Sequence, residues 1–178
     1  MKKTNIRKLA MAAVLVAVAV VGSLFSFPFL GAKCSPVQHL VNIIGGVYLG
    51  PWYSLGVAFC ASLLRNIFGL GSLMAFPGSM VGAFLSGVMF HWIFKGKPLA
   101  LRLPMAYVGE LFGTSVIGGM LSFPIAYLIM NNTAATLFGF VFFASSVVGT
   151  VIAAIVVTSL KRVKAIDAFF GDVQPQKS

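Results

Sequence analysis

Residues 36–68, PVQHLVNIIGGVYLGPWYSLGVAFCASLLRNIF, decide the architecture of this chain. They read either as one long kinked helix or as two helices joined at Gly50-Pro51. Proline lacks an amide hydrogen and turns its predecessor away from helical geometry, so a break at Gly50-Pro51 is favoured. Charge on the flanks separates the two readings. With two helices the chain crosses a bilayer six times. Eleven of the thirteen Lys and Arg then share the side of the N-terminus: Lys2, Lys3, Arg7 and Lys8, then Lys95, Lys97 and Arg102, then Lys161, Arg162, Lys164 and Lys177. Lys33 and Arg65 alone fall on the other side. With one kinked helix the split becomes five against eight. Cytoplasmic loops retain Lys and Arg, so the sequence predicts six crossings with both termini in the cytosol.

A formal net charge of +10, with three acids, would ordinarily suggest a nucleic-acid partner. Here 59% of residues are apolar, mean hydropathy is +0.99, and the charges sit outside the apolar stretches. The basic balance is therefore a topology signal, and no nucleic-acid partner is expected.

Crossing about 30 Å of hydrocarbon takes about 20 apolar residues, so six helices use most of the 178 residues. The expected fold is all-α and integral to the cell membrane, one multi-pass domain over residues 1–178. Its helices are placed at about 9–24, 36–49, 52–68, 76–94, 103–130 and 135–160, followed by a basic cytoplasmic tail, 161–178. The start, MKKTNIRKLAMAAVLVAVAVVG, also has the form of a secretory signal, but Gly22-Ser23 runs into Leu24 and Phe25 without a convincing cleavage site. Retention as a first helix is the expectation. The stretches 25–35 and 69–75 are read as outer loops, as is Asn131-Asn132-Thr133, and Trp52 and Trp92 are placed at the inner boundary. Cys34 and Cys60 are not expected to form an obligatory disulfide.

Small residues recur every four positions: Gly78, Gly82 and Ser86; Gly109 and Gly113; Ser145, Gly149 and Ala153. Such stripes let helix backbones approach closely in lipid, and packing is their expected role.

Polar residues in so apolar a chain are informative, because an ionisable group at depth is costly unless paired or hydrated. Gln38, His39 and Asn42 lie at the outer start of the second helix, with His39 and Asn42 on one face. Arg65 and Asn66 close the third helix at the same level. Each has two readings: Arg65 snorkels to headgroups or faces a site, Asn66 caps its helix or binds, and His39 is a loop histidine or a ligand contact. Glu110, the one acid within the apolar helices, is placed nearer the cytosol, with packing or inner-face coupling as its alternative to substrate contact. Phe25, Phe27 and Phe29 offer aromatic surface in the first outer loop.

Enzyme chemistry finds little support. HExxH, Gly-x-Ser-x-Gly and the Gly-x4-Gly-Lys-Ser/Thr phosphate loop are all absent, so neither catalysis nor autonomous ATP-driven transport is expected. Two histidines and one buried acid make no convincing metal site, and no cofactor is expected.

Several segments match a known family. Gly31-Ala32-Lys33-Cys34, Pro36-Val37-Gln38-His39, Leu49-Gly50-Pro51-Trp52-Tyr53, Ser62-Leu63-Leu64-Arg65-Asn66 and Ala75-Phe76-Pro77-Gly78-Ser79-Met80, with Gly109-Glu110 and Gly113-Thr114, resemble the ThiW family. These are thiazole-type substrate-binding (S) components of energy-coupling factor transporters. The resemblance implies a six-helix S component that binds hydroxyethylthiazole, a thiamine precursor, from outside. It would deliver the ligand inward by toppling when docked on a transmembrane coupling subunit with two ATPases. Docking in such components uses an Ala-x-x-x-Ala pattern on helix 1, matched here by Ala13 and Ala17.

The substrate-binding candidates are then Gln38, His39, Asn42, Arg65, Asn66, Phe27 and Glu110. Thiazole is preferred over intact thiamine because a permanent cation invites an acid at the outer pocket, and the sequence places none there. A self-sufficient secondary transporter of a small neutral molecule, an S component for another vitamin, and a structural or assembly protein remain the alternatives.

Overall fold

The computed structural model describes residues 3–29, 32–129 and 138–162. Helix α1 spans Lys3–Gly22 and ends in a 3-10 turn, Ser23–Phe25. Strands β1 (Phe27–Phe29) and β2 (Ala32–Cys34) pair antiparallel, Phe27 opposite Cys34 and Phe29 opposite Ala32. The stretch 25–35, read as a loop, thus carries a short ribbon, as the aromatic residues at alternate positions allow. Helices α2 (Pro36–Leu49) and α3 (Pro51–Ile67) follow. Helix α4 (Ala75–Val88) runs into a π-helical turn, Met89–Ile93. Helix α5 (Leu99–Phe112), a π turn (Gly113–Gly118), α6 (Gly119–Pro124) and a second π turn (Ile125–Ile129) form one continuous run. Helix α7 covers Phe138–Arg162. The expected turn at Asn131–Thr133, the start of the last expected helix at 135–137, and the tail beyond 162 lie outside the described residues.

Residues 36–68 are two helices. Gly50 adopts φ +89°, a backbone region closed to most side chains, and Pro51 occupies the first turn of α3, where no amide hydrogen is needed. The arms return on each other: Ser54 Oγ donates to Asn42 O at 3.3 Å, and Arg65 Nη1 donates to Gln38 Oε1 at 2.7 Å. The end of α3 therefore lies level with the start of α2.

Among the described residues, four stretches are long and apolar enough to cross a bilayer: Ile6–Phe25, Ala75–Ile93, Leu99–Leu128 and Gly139–Ser159. Helices α2 and α3 rise only about 21 and 26 Å at 1.5 Å per residue. Helix α2 tolerates its shortness because it is central, packed by α1, α3, α4, α5 and α7, with eleven of its fourteen residues buried. Its apolar partners include Ile43 and Val47 against Phe90 and Ala106, and Val41 and Leu49 against Leu15 and Val57.

The small-residue stripes are the seams of this packing. A Cβ on Gly149 would lie 2.5 Å from Pro36 O and 2.6 Å from His39 Cβ, so α7 meets the start of α2 backbone to backbone.

One end of the bundle gathers Trp52, Phe84 and Trp92, with ring centroids 5.3 and 6.2 Å apart, and the Lys8 ammonium 5.9 Å from the Tyr53 ring. The turn carrying Lys95 and Lys97 joins α4 to α5 at that end. Arg102 departs from the sequence reading. The sequence places it in the basic segment before the fifth helix, whereas α5 begins at Leu99 and buries it. Its Nε–H donates to Phe90 O at 3.2 Å and its guanidinium lies 4.1 Å from the Phe90 ring. The π turn beside Phe90 lets a carbonyl face outward to receive it.

Candidate functional site

Helix α2 enters the bundle with three polar side chains, Gln38, His39 and Asn42, all buried. Polar groups removed from water need partners, and here the partners come from other helices. His39 Nδ1 lies 2.8 Å from Glu110 Oε1 on α5, and His39 Nε2 lies 2.9 Å from Ser145 Oγ on α7. Asn42 Nδ2 donates to the same Glu110 oxygen at 3.3 Å, while Asn42 Oδ1 accepts from Gln38 Nε2 at 3.3 Å. Thr114, in the π turn, donates to Glu110 Oε1 at 2.8 Å, and Ser146 donates to Oε2 at 2.5 Å. Glu110 is completely buried, and its carboxylate accepts four hydrogen bonds. A carboxylate so supplied with donors tolerates burial as the anion. Since Ser145 Oγ already accepts the Ser35 amide at 3.1 Å, its single hydrogen suits His39 Nε2, which places the imidazole hydrogen on Nδ1, facing Glu110.

This geometry overturns one expectation. The sequence reading put Glu110 nearer the cytosolic end and apart from the polar cluster. Helix α2 begins well inside the bundle, however, with Pro36 against Gly149. Counted from the His91–Val47 contact and from the Phe90–Arg102 contact, His39 and Glu110 are each eight residues away, about 12 Å at 1.5 Å per residue. They meet at one depth. The premise that no acid lies near the outer pocket falls with it.

Gly82 makes room for the network: a Cβ there would collide with Thr114 Oγ1 and lie 3.1 Å from Glu110 Oε1. The sequence marked Gly82 and Ser145 as packing residues, and they are also part of the site's wall. Thr114 stood only in a segment of the family resemblance, and Ser146 and Ser35 carried no signal beyond being polar in apolar surroundings.

Above this network lies a cavity of about 40 Å³, lined by Gln38, His39, Arg65, Ser79, Phe142 and Ser145 among others. Arg65 is 4% exposed; Nη1 is held by Gln38, while Nε has no hydrogen-bond partner. Ser35 Oγ, also on the cavity, has none either. Ser62 and Ser79 pair through their hydroxyls at 2.8 Å. Cys34, in β2, places its thiol 3.7 Å from Val141 O; burial pushes that thiol up, outweighing the hydrogen bond with Ser145, so it stays neutral.

The structure brings Gln38, His39, Asn42, Arg65 and Glu110 together. It turns Asn66 elsewhere: Nδ2 donates to Ser62 O at 2.9 Å and Ser72 O at 3.1 Å, which ties the end of α3 to the following loop. Phe27 lies exposed on β1. Ala13 and Ala17 are exposed on α1, and Ala13 lines an apolar groove of about 490 Å³ between α1 and α3, remote from the polar network. Among the described residues no group of three His, Cys, Asp or Glu could hold a metal.

Known proteins supply a frame for this geometry. The family model described as thiamine-precursor transporter protein (ThiW) matches residues 9–163. A solved structure described as the S component of a bacterial ECF transporter superposes with a TM-score of 0.73 at 15% identity, over 92% of this chain and 99% of that one. At that identity the likeness concerns the fold. No curated protein matches the chain.

Proposed function

The chain belongs to the thiamine-precursor transporter family ThiW, and from that premise we propose that it is the membrane-embedded capture subunit for hydroxyethylthiazole. It takes the ligand from outside and passes it inward with a transmembrane coupling subunit and two ATPases, in the plasma membrane. The observation that carries this reading is the cavity at the end of α2 and α3, where Gln38, His39 and Arg65 meet beside Phe142, with Asn42 hydrogen-bonded to Gln38 and Glu110 to His39 behind them. A small neutral heteroaromatic needs an apolar wall and a few placed hydrogen-bonding groups, and the cavity supplies both. At about 40 Å³ it is little larger than one water's share of about 30 Å³. Capture on this reading includes a parting of α4 near Ala75–Ser79 from Phe142 on α7.

The same proposal includes six crossings with both termini in the cytosol. The antiparallel return of α2 and α3 supports it, as does the gathering of Lys8, Lys95 and Lys97 at one end. Ala13 and Ala17, exposed on α1 beside the apolar groove, are the proposed contact with the coupling subunit, because small residues allow close helix approach.

Calorimetric titration of the purified full-length protein with hydroxyethylthiazole, with mass spectrometry of co-purifying small molecules, tests the reading. One-to-one binding is expected. Uptake that persists without ATP or partner subunits would instead make the protein a self-sufficient transporter.

A further inference from the structure

Building on the thiazole reading above, we propose that Arg65 Nε and Ser35 Oγ read the ligand's polar atoms, and that they admit the neutral thiazole while rejecting its N-alkylated cation. The argument starts from which polar atoms around the cavity are already spent. Gln38 accepts from Arg65 and donates to Asn42. Ser79 is paired with Ser62. Ser145 is shared between the Ser35 amide and His39. Two buried side-chain atoms on cavity-lining residues have no hydrogen-bond partner, Arg65 Nε and Ser35 Oγ, both on residues more than nine-tenths buried. The first can only donate; the second donates or accepts.

The complement of that pair is a molecule with one acceptor lone pair and one hydroxyl. Hydroxyethylthiazole has both, a ring nitrogen for Arg65 and an alcohol for Ser35. A quaternised ring nitrogen has no lone pair to offer and brings a positive charge against a guanidinium. Among the described residues Arg65 makes no ion pair. Glu110 is not in contact with Arg65; its hydrogen-bond partners are His39, Asn42, Thr114 and Ser146. A buried guanidinium without a carboxylate beside it penalises a second cation.

The test compares two probes on the wild-type protein in detergent micelles by calorimetry: 4-methyl-5-(2-hydroxyethyl)thiazole and its N-methyl thiazolium. The neutral compound should bind at least about a hundredfold more tightly than the thiazolium, the cost of a stranded charged donor plus repulsion. Arg65→Gln should weaken the neutral compound roughly ten- to a hundredfold and shrink its advantage over the thiazolium. Ser35→Ala should weaken the neutral compound while leaving that ratio intact. Equal wild-type affinity for neutral and methylated rings overturns the assignment while leaving the thiazole reading standing. Binding of neither probe overturns both. The wild-type comparison needs no variant, so misfolding of Arg65→Gln cannot rescue the assignment.

Discussion

Glu110 is the residue whose removal the structure predicts most sharply, and two substitutions separate its roles. In Glu110→Ala, the His39 Nδ1–H and Asn42 Nδ2–H lose their acceptor inside the bundle, while Thr114 can turn to Gly78 O, 3.2 Å away. Each stranded buried donor costs about 1–3 kcal/mol, so the pair costs ~2–6 kcal/mol before any cavity effect. In Glu110→Gln the oxygen facing His39, Asn42 and Thr114 is kept, and the amide faces Ser146, whose hydroxyl can rotate to accept it. Charge assistance is lost at about 1 kcal/mol per bond, but relief of burying an anion offsets much of that, leaving a net loss of about 1–2 kcal/mol. At about 2–4 °C per kcal/mol for a chain of this size, Gln lowers the midpoint by ~2–8 °C and Ala by about 4–24 °C before any cavity effect. Thermal unfolding of the detergent-purified protein, followed by tryptophan fluorescence, reads the difference. Because Glu110 holds the ring of cavity-lining His39, the Ala variant should also lose thiazole affinity about tenfold or more, the cost of one misplaced hydrogen bond. A Glu110→Ala midpoint within about 2 °C of wild type, below the shift expected from even 1 kcal/mol, would refute the claim that this carboxylate ties α2, α5 and α7 together.

Other outcomes follow from the orientation and the groove. Reporter fusions at Ser178 and within Asn131–Thr133 should read cytoplasmic and external respectively, since eleven basic residues share the N-terminal side; an external C-terminus removes the six-crossing topology. Double replacement Ala13→Trp with Ala17→Trp should abolish uptake in cells while thiazole binding by the isolated subunit survives, because bulk on the exposed face of α1 blocks close helix approach without touching the polar cavity. Unchanged uptake would move docking to another face.

The sequence by itself determined that this is a membrane protein, where its long helices run, that the chain breaks at Gly50-Pro51, and which family it resembles. These are properties of local order: hydropathy summed along a stretch, a proline that cannot donate, charges counted per loop. It also assembled most of the candidate site, since a polar residue in an apolar helix stands out wherever it is. Only the tertiary structure decided which of those residues meet. Glu110 joins His39 because short α2 is seated deep against Gly149, a depth that no count of residues from the presumed membrane edge reveals. Asn66 leaves the cavity although its neighbour Arg65 faces it, because one residue along a helix rotates a side chain by about 100°. Thr114, Ser145 and Ser146 became partners of the site by the same rule: a hydroxyl's role depends on which acceptor the packing of another helix brings within reach.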